Sequence, residues 1–394
     1  MREHGIRGQK TSLPNGNGMF WLAWKTMFHE KVRLALAVTG IAFSTILVLA
    51  QVGIYIGMVK NAVAVITHTD ADIWIASKNI RNVDFGVPFP EERVYRVRSL
   101  PEVLWARRLI VYWGYLKLAN GGQEQVEIIG FNPNTGFGAP WRMIEGGWRD
   151  VKGGRYLIMD KTSEKRIGKL KVGSIWELDG KRFELVGISD GLKSFTTAPV
   201  VCMTFNELQN LSYGAIKPGE TTYIAAKLRD KSESRKIAKI LRARLKNNDV
   251  MTRDDFIMRT IRYWTIQTGI GMSIFLTAFL GLMIGGAIVG QTIYSNTMQH
   301  MKEYGTLKAM GATNRDIYRT IFSQAGINAA IGYAVGAISI MSAKGVVEKA
   351  GVPLYTSAVV FIVIFFMIGA ASIMSAWFSV KKIKTIDPVM VFKG

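Results

Sequence analysis

Tyr263–Gln299, YWTIQTGIGMSIFLTAFLGLMIGGAIVGQTIYSNTMQ, contains no Asp, Glu, Lys or Arg. A helix needs about 20 apolar residues to cross a hydrocarbon core about 30 Å thick, so this stretch alone predicts a membrane span with a helical extension. Leu34–Val59, Thr320–Ala343 and Gly351–Val380 are charge-free in the same way. Long buried helices of a globular core normally keep a polar face, and these windows have none. The chain, 394 residues, 49% hydrophobic and 20% charged, is more apolar than a soluble domain of its size needs to be. The predicted class is an α-helical membrane protein with four transmembrane helices and one α+β extracytoplasmic domain, inserted between the first and second helices.

Short loops retain positive charge on the cytoplasmic side. Lys25, Lys31 and Arg33 precede the first span, Lys302, Lys308, Arg315 and Arg319 lie between the second and third, and Lys381, Lys382, Lys384 and Lys393 follow the fourth. These three regions are expected inside the bacterial plasma membrane and both termini with them. The organisation that follows is a cytoplasmic N-terminus (1–33), span one (34–59), the external domain (60–262), span two with its cytoplasmic extension (263–299), a cytoplasmic elbow (300–319), span three (320–343), a short external loop (344–354), span four (355–380) and a cytoplasmic tail (381–394). Phe20, Trp21, Trp24, Met27 and Phe28 fall at helical spacing opposite Lys25 and Lys31, which describes an amphipathic helix in the inner headgroup layer or an extension of span one. Leu34–Val59 is too long, and too far from the start, for a cleaved signal peptide. The net charge of +21 crowds beside the spans, where it suits membrane lipids. No basic run interleaves with aromatics as a nucleic-acid surface would.

Within the external domain, Ala71–Ala76, Val103–Leu118, Gln125–Phe131, Tyr156–Met159, Ser174–Leu178, Phe183–Ile188, Pro199–Met203 and Tyr223–Lys227 read as strands. Glu91–Leu100, Lys161–Ile167, Phe205–Leu211 and Ser232–Lys246 read as helices. Asp179-Gly180 between two alternating runs predicts a tight hairpin, and Asn132-Pro133 a turn. A single cysteine, Cys202, allows no intrachain disulfide. A domain of about 200 residues is large enough to bury its own core.

The sequence offers no catalytic chemistry. Gly187–Ser194 has the wrong glycine spacing for a phosphate-binding loop. His29-Glu30 is followed at the fifth position by Arg33 rather than a second His, and His4, His29, His68 and His300 are scattered. No catalytic residue, metal site or bound cofactor is therefore expected. The spans lack the ionisable groups by which ion-coupled carriers bind or relay their driving ion. Their polar residues, Ser44, Thr45, Gln51, Gln267, Thr268, Thr277, Gln324 and Asn328, are of the kind that hydrogen-bond between helices, or else line a path. Gly281-x3-Gly285, Gly286-x3-Gly290 and Gly332-x3-Gly336 allow close helix approach and predict a helix-packed pair of copies.

Between spans two and three stands Met301-Lys302-Glu303-Tyr304-Gly305-Thr306-Leu307-Lys308-Ala309-Met310-Gly311-Ala312-Thr313-Asn314-Arg315-Asp316-Ile317. Gly311 is suited to end one helix, and Thr313 with Asp316 three residues later to cap the next. A compact helical elbow follows. The run from Glu303 to Thr313 closely resembles the Glu-Ile/Tyr-Gly-x-Leu-Lys/Arg-Ala-Leu/Met-Gly-Ala signature of FtsX-like ABC permeases. Arg155–Asp190 resembles the periplasmic core of MacB-type permeases, and Ile386-Asp387-Pro388-Val389-Met390 their Asp-Pro ending. Leu22–Lys25, Glu30–Leu34 and the Gly130–Pro133 turn are most similar to DevC-type permeases.

The resemblance implies a non-catalytic permease subunit of an ABC exporter in the inner membrane, working as a homodimer. ATP and Mg would be bound by a separate ATPase subunit, gripping Glu303–Thr313, Arg315, Asp316 and Ile317. Mechanotransmission to the periplasmic domain would drive efflux of a lipid-like or other amphipathic substrate, with a periplasmic membrane-fusion adaptor and a TolC-like outer-membrane protein as further partners. A lipoprotein-releasing permease, an FtsX-like regulator of cell-wall hydrolases and a ligand-binding sensor remain alternatives.

Overall fold

A computed structural model describes residues 31–212, 214–310 and 312–383, the last four of them by backbone alone. The interfacial helix expected before Lys31, the Asp-Pro ending and Gly311 lie outside these residues. In chain order the helices are α1 (Lys31–Ala62), α2 (Ala64–His68), α3 (Arg93–Arg98), α4 (Glu164–Ile167), α5 (Phe205–Leu211), α6 (Ser234–Arg244), α7 (Arg253–Arg262), α8 (Ile270–Gln299), α9 (Met301–Ala309), α10 (Asn314–Lys349) and α11 (Ala358–Ile383). The strands are β1 (Ile73–Ser77), β2 (Phe89–Pro90), β3 (Val103–Lys117), β4 (Gln123–Phe131), β5 (Met143–Glu145), β6 (Tyr156–Asp160), β7 (Ile175–Leu178), β8 (Lys181–Ser189), β9 (Val200–Thr204), β10 (Glu220–Thr221), β11 (Tyr223–Leu228) and β12 (Asn248–Thr252). The chain divides into two compact units. One is Ile54–Ser273 with Val346–Leu354; the other comprises the described residues of Met1–Gly53, Ile274–Gly345 and Tyr355–Gly394.

The first unit is built on a ten-stranded sheet in the order β12-β1-β11-β3-β4-β9-β6-β8-β5, with β7 beside β3 and β8. β3 is long enough to serve two neighbours: Val103–Leu109 pairs with β11 and Ile110–Lys117 with β4. Period-2 alternation then places successive side chains on opposite faces. Ile73 and Ile75 join Val94, Val97, Ile237 and Leu241 in one core, while Trp74 and Ala76 join Tyr223 and Phe256 in another. A third core gathers Ile110, Ile128, Leu157, Met159, Leu185, Val201 and Leu208. Each large apolar side chain buried in this way contributes about 1.5–3 kcal/mol.

Asp179 and Gly180 both take positive φ, 43° and 72°, the conformation that a two-residue hairpin compatible with strand twist requires. The Asn132 side chain accepts from Asn134 N at 2.9 Å and closes the expected turn. β12 and α7 went unread in the sequence, although Thr252 and Asp255 form a reciprocal capping box at the start of α7 that marks a helix beginning locally.

Four helices, Lys31–Ala62, Ile270–Gln299, Asn314–Lys349 and Ala358–Ser379, are long and apolar enough to span a membrane, and their greater part makes up the second unit. Phe275, Leu276, Phe279, Leu280 and Phe366 stand exposed on them, as side chains that face hydrocarbon do. Their bounds differ from expectation. The second does not begin at Tyr263: Tyr263–Gln267 forms one π-helical turn after α7, and Gly269 at φ +76° interrupts the helix before Ile270. Only glycine adopts that conformation without strain. The hydroxyl of Thr268 donates to Trp264 O at 2.6 Å and accepts from Ile270 N at 3.3 Å, stabilising the break. The third helix runs on to Lys349, through half of the loop expected at 344–354, and the fourth begins at Ala358.

Candidate functional site

The elbow forms from two short-range signals. Ala312 N donates to Leu307 O at 2.9 Å and Met310 N to Thr306 O at 3.0 Å, tying off α9; the first is the six-to-one bond of a Schellman ending. Thr313 N then donates to Asp316 Oδ2 at 2.9 Å, and Asp316 N to Thr313 Oγ1 at 3.3 Å. That reciprocal box caps α10.

Lys302, Glu303, Thr306, Lys308, Ala309, Met310, Thr313 and Arg315 are exposed, Met310 at 61%, while Tyr304, Gly305, Leu307 and Asp316 are half-buried. Glu303 pairs with His300 at 3.0 Å. Burial first, and the Glu303 charge second, push the Tyr304 phenol up to about 12. Ala312 and Ile317 are buried, each only 8% exposed. Of the elbow's apolar side chains Leu307, Met310, Ala312 and Ile317, Met310 and the edge of Leu307 reach the surface, while the other two pack within the chain. Lys308 and Arg315 remain exposed as a polar rim.

The packing glycines also find their partners within one chain. A Cβ on Gly285 would lie 2.5 Å from Ser44 Oγ, one on Gly332 2.5 Å from Ile41 Cβ, and one on Gly336 2.7 Å from Ala42 O. Gly281 O accepts from Ser44 Oγ at 2.6 Å and Gly290 O from Ser379 Oγ at 2.9 Å. Gly286 faces Ser375. These residues pack α8 and α10 on α1, and α8 on α11, and so carry no argument for a second copy. The polar span residues Ser44, Asn296 and Gln324 serve as interhelical ties, the last two at 3.3 Å.

Sequence reasoning missed a second feature, in the sheet-bearing unit. Trp264, in the π-helical turn, donates through Nε1 to Asp84 Oδ2 at 2.8 Å and stacks on Phe195 with centroids 3.9 Å apart. Asp84 O accepts from Trp113 Nε1 at 2.8 Å. Burial pushes the Asp84 carboxyl up to about 7 against the opposing pull of the Trp264 bond. Burial and the Asp84 charge hold Glu127 well above the usual carboxylate range. Glu127, set between Val126 and Ile128 in an apolar strand, was the available signal; Asp84 offered none. Among the described residues no group of three or more His, Cys, Asp or Glu is arranged to hold a metal ion.

Four apolar helices, an α+β domain after the first and a capped elbow between the second and third define a multi-pass membrane protein of the permease type. The model of the MacB-like periplasmic core domain matches residues 34–244, and that of the FtsX-like permease C-terminal region matches residues 261–388. The chain belongs to this family of ABC transporter permeases, of the FtsX and MacB type. An uncharacterized ABC transporter permease of Mycobacterium tuberculosis strain H37Rv is 23% identical over 95% of this chain and 100% of its own length. The pyoverdine export ATP-binding/permease protein PvdT of Pseudomonas entomophila is 22% identical over 82% of this chain, which spans 51% of PvdT. The periplasmic region of MacB from Actinobacillus actinomycetemcomitans is 13% identical, covering 48% of this chain and 92% of that structure at a TM-score of 0.36.

Proposed function

We propose that the chain is the membrane subunit of an ABC exporter, driven by a separate ATPase subunit that grips the elbow between α9 and α10. The observation that carries this reading is the elbow's surface. Two capped helix ends hold exposed Met310 between the exposed cations Lys308 and Arg315, the arrangement of apolar anchor and polar rim that protein interfaces use. ATP-driven movement of the ATPase would pull on the elbow and, through α8, on the π-helical turn at Tyr263–Gln267. A homodimer, a membrane-fusion adaptor and an outer-membrane duct complete the proposed assembly, and its substrate is lipid-like or amphipathic.

The test is reconstitution. The purified chain is expected to hydrolyse no ATP, and to recruit and stimulate a cognate ATPase supplied in trans. Met310→Asp combined with Lys308→Glu should abolish recruitment while leaving membrane insertion intact. Undiminished recovery of the ATPase with that double variant would refute the coupling role.

A further inference from the structure

Two cavities in the sheet-bearing unit meet at one side chain. The larger, about 630 Å³, is lined by Arg98, Arg107, Arg108, Lys152 and Arg155, with Glu207 the acid among its walls. The smaller, about 190 Å³, is lined by Trp105, Phe137, Trp141 and Leu192 among others. Arg107 lines both. An apolar cavity of about 150 Å³ already holds a benzene ring, so the smaller space admits a ring or a short alkyl chain.

Arg98, Arg107 and Arg108 are held in place by neighbouring groups, whereas Lys152 and Arg155 stand exposed at the rim. The Arg107 guanidinium lies over the Trp105 ring, 4.5 Å from its centroid, and donates to Thr135 O at 3.4 Å. Arg108 lies over Phe205 at 4.8 Å and pairs with Glu91. Arg98 is fixed by two bonds to Ala106 O, at 2.9 and 2.7 Å. Among the described residues no carboxylate reaches Arg107, Lys152 or Arg155 within ion-pair distance. In the smaller cavity the charge of Asp70 is met by Lys227 at 2.6 Å, and His68 stacks on Trp141 with centroids 3.9 Å apart. Burial, and after it the charge of Arg98, lower the pKa of Arg107. An anion in the groove would relieve that crowding.

We propose that the two cavities form one site for an amphipathic anion, with its phosphate or carboxylate among Arg107, Lys152 and Arg155 and its apolar part beside Trp105 and Phe137. Positive charge focused in a cleft draws an anion and makes binding salt-dependent. The flat apolar walls next to it select against a bare inorganic ion. The inference deepens the export reading by naming a substrate class. Binding needs no ATPase, however, so the two can fail separately: lost binding with intact ATPase recruitment sinks this inference alone, and lost recruitment with intact binding sinks only the export reading.

The full chain in phosphatidylcholine nanodiscs is titrated by calorimetry with dihexanoyl phosphatidate, phenyl phosphate, inorganic phosphate and dihexanoyl phosphatidylcholine. One or both of the first two should bind at least about tenfold more tightly than the last two, and less tightly as salt rises. The tighter of them tells a lipid headgroup from a free aromatic anion. Arg107→Gln should lower that affinity about tenfold or more. Lys152→Gln with Arg155→Gln, both on exposed turn positions where folding is not at stake, should do the same. Equal affinity for inorganic phosphate, or unchanged binding in the Lys152/Arg155 variant, overturns the proposal.

Discussion

Trp264 Nε1 donates to Asp84 Oδ2 at 2.8 Å across 180 residues of sequence, joining the π-helical turn before α8 to a buried carboxyl of the sheet-bearing unit. Trp264→Phe keeps the aromatic contact with Phe195 but leaves Asp84 without that donor. A buried acceptor left unsatisfied costs about 1–3 kcal/mol. The thermal midpoint of the full chain should fall accordingly, and ATPase recruitment should be unchanged. A midpoint equal to wild type would show that the bond contributes nothing.

The same carboxyl sets a pH dependence. Its folded pKa of about 7 lies above the ordinary 3.8, so between these values the folded chain holds a proton that the unfolded chain has released. Stability therefore falls as pH rises through this window, by up to about 1.4 kcal/mol per pH unit, and is level above it. Glu127 and Tyr223, both raised by burial and by the Asp84 charge, are the titratable groups that sense this carboxyl. Other carboxylates act in the opposite direction, so the readout is the difference between wild type and Asp84→Asn in denaturant midpoints from pH 5 to 8. That difference should move against wild type up to about pH 7 and then flatten; a pH-independent difference would contradict it.

At the elbow, exposure separates two kinds of apolar residue. Met310→Asp should cut ATPase recovery with little change in stability, since Met310 is 61% exposed. Ile317→Asp, at an 8% exposed position, should instead lower the melting temperature by burying a charge. Thr313→Ala removes the cap and should cost about 1 kcal/mol. Thermal melts and co-purification on the same samples distinguish these outcomes.

Gly336→Leu places a side chain against Ala42 O, a backbone atom 2.7 Å from the added Cβ that has no rotamer by which to yield. The helices must separate, and a loss of a few kcal/mol is expected from overpacking. Light scattering should show the oligomeric state unaltered in the surviving folded protein. A clean shift from dimer to stable monomer would instead place this glycine between copies.

Orientation is open to chemical labelling. Ser232 is exposed in the sheet-bearing unit, Ser295 lies near the end of α8, and the native Cys202 is buried, so background reaction is low. A cysteine at 232 should react with an impermeant thiol reagent on intact spheroplasts and one at 295 should not; the reverse pattern would invert the topology drawn from the Lys/Arg bias.

Features with local causes were legible from the sequence. Hydrocarbon demands an unbroken apolar run, so four helices could be read by length; Asp179-Gly180 and the Thr313/Asp316 box owe their geometry to neighbours two or three residues away. Tertiary structure alone decided what those elements touch. Charge-free composition ran straight through Tyr263–Gln267, because apolarity does not encode the backbone φ at Gly269. The paired glycines read equally well as a dimer seam or an internal one, and only Ser44, Ile41 and Ala42 on α1, with Ser375 and Ser379 on α11, assigned them. Ala312 and Ile317 resembled their exposed neighbours until packing buried them. Asp84 with Trp264, and the basic groove beside Trp105, bring together residues from distant segments: their energies come from contacts that exist only once the chain has closed on itself, so no window of sequence contains them.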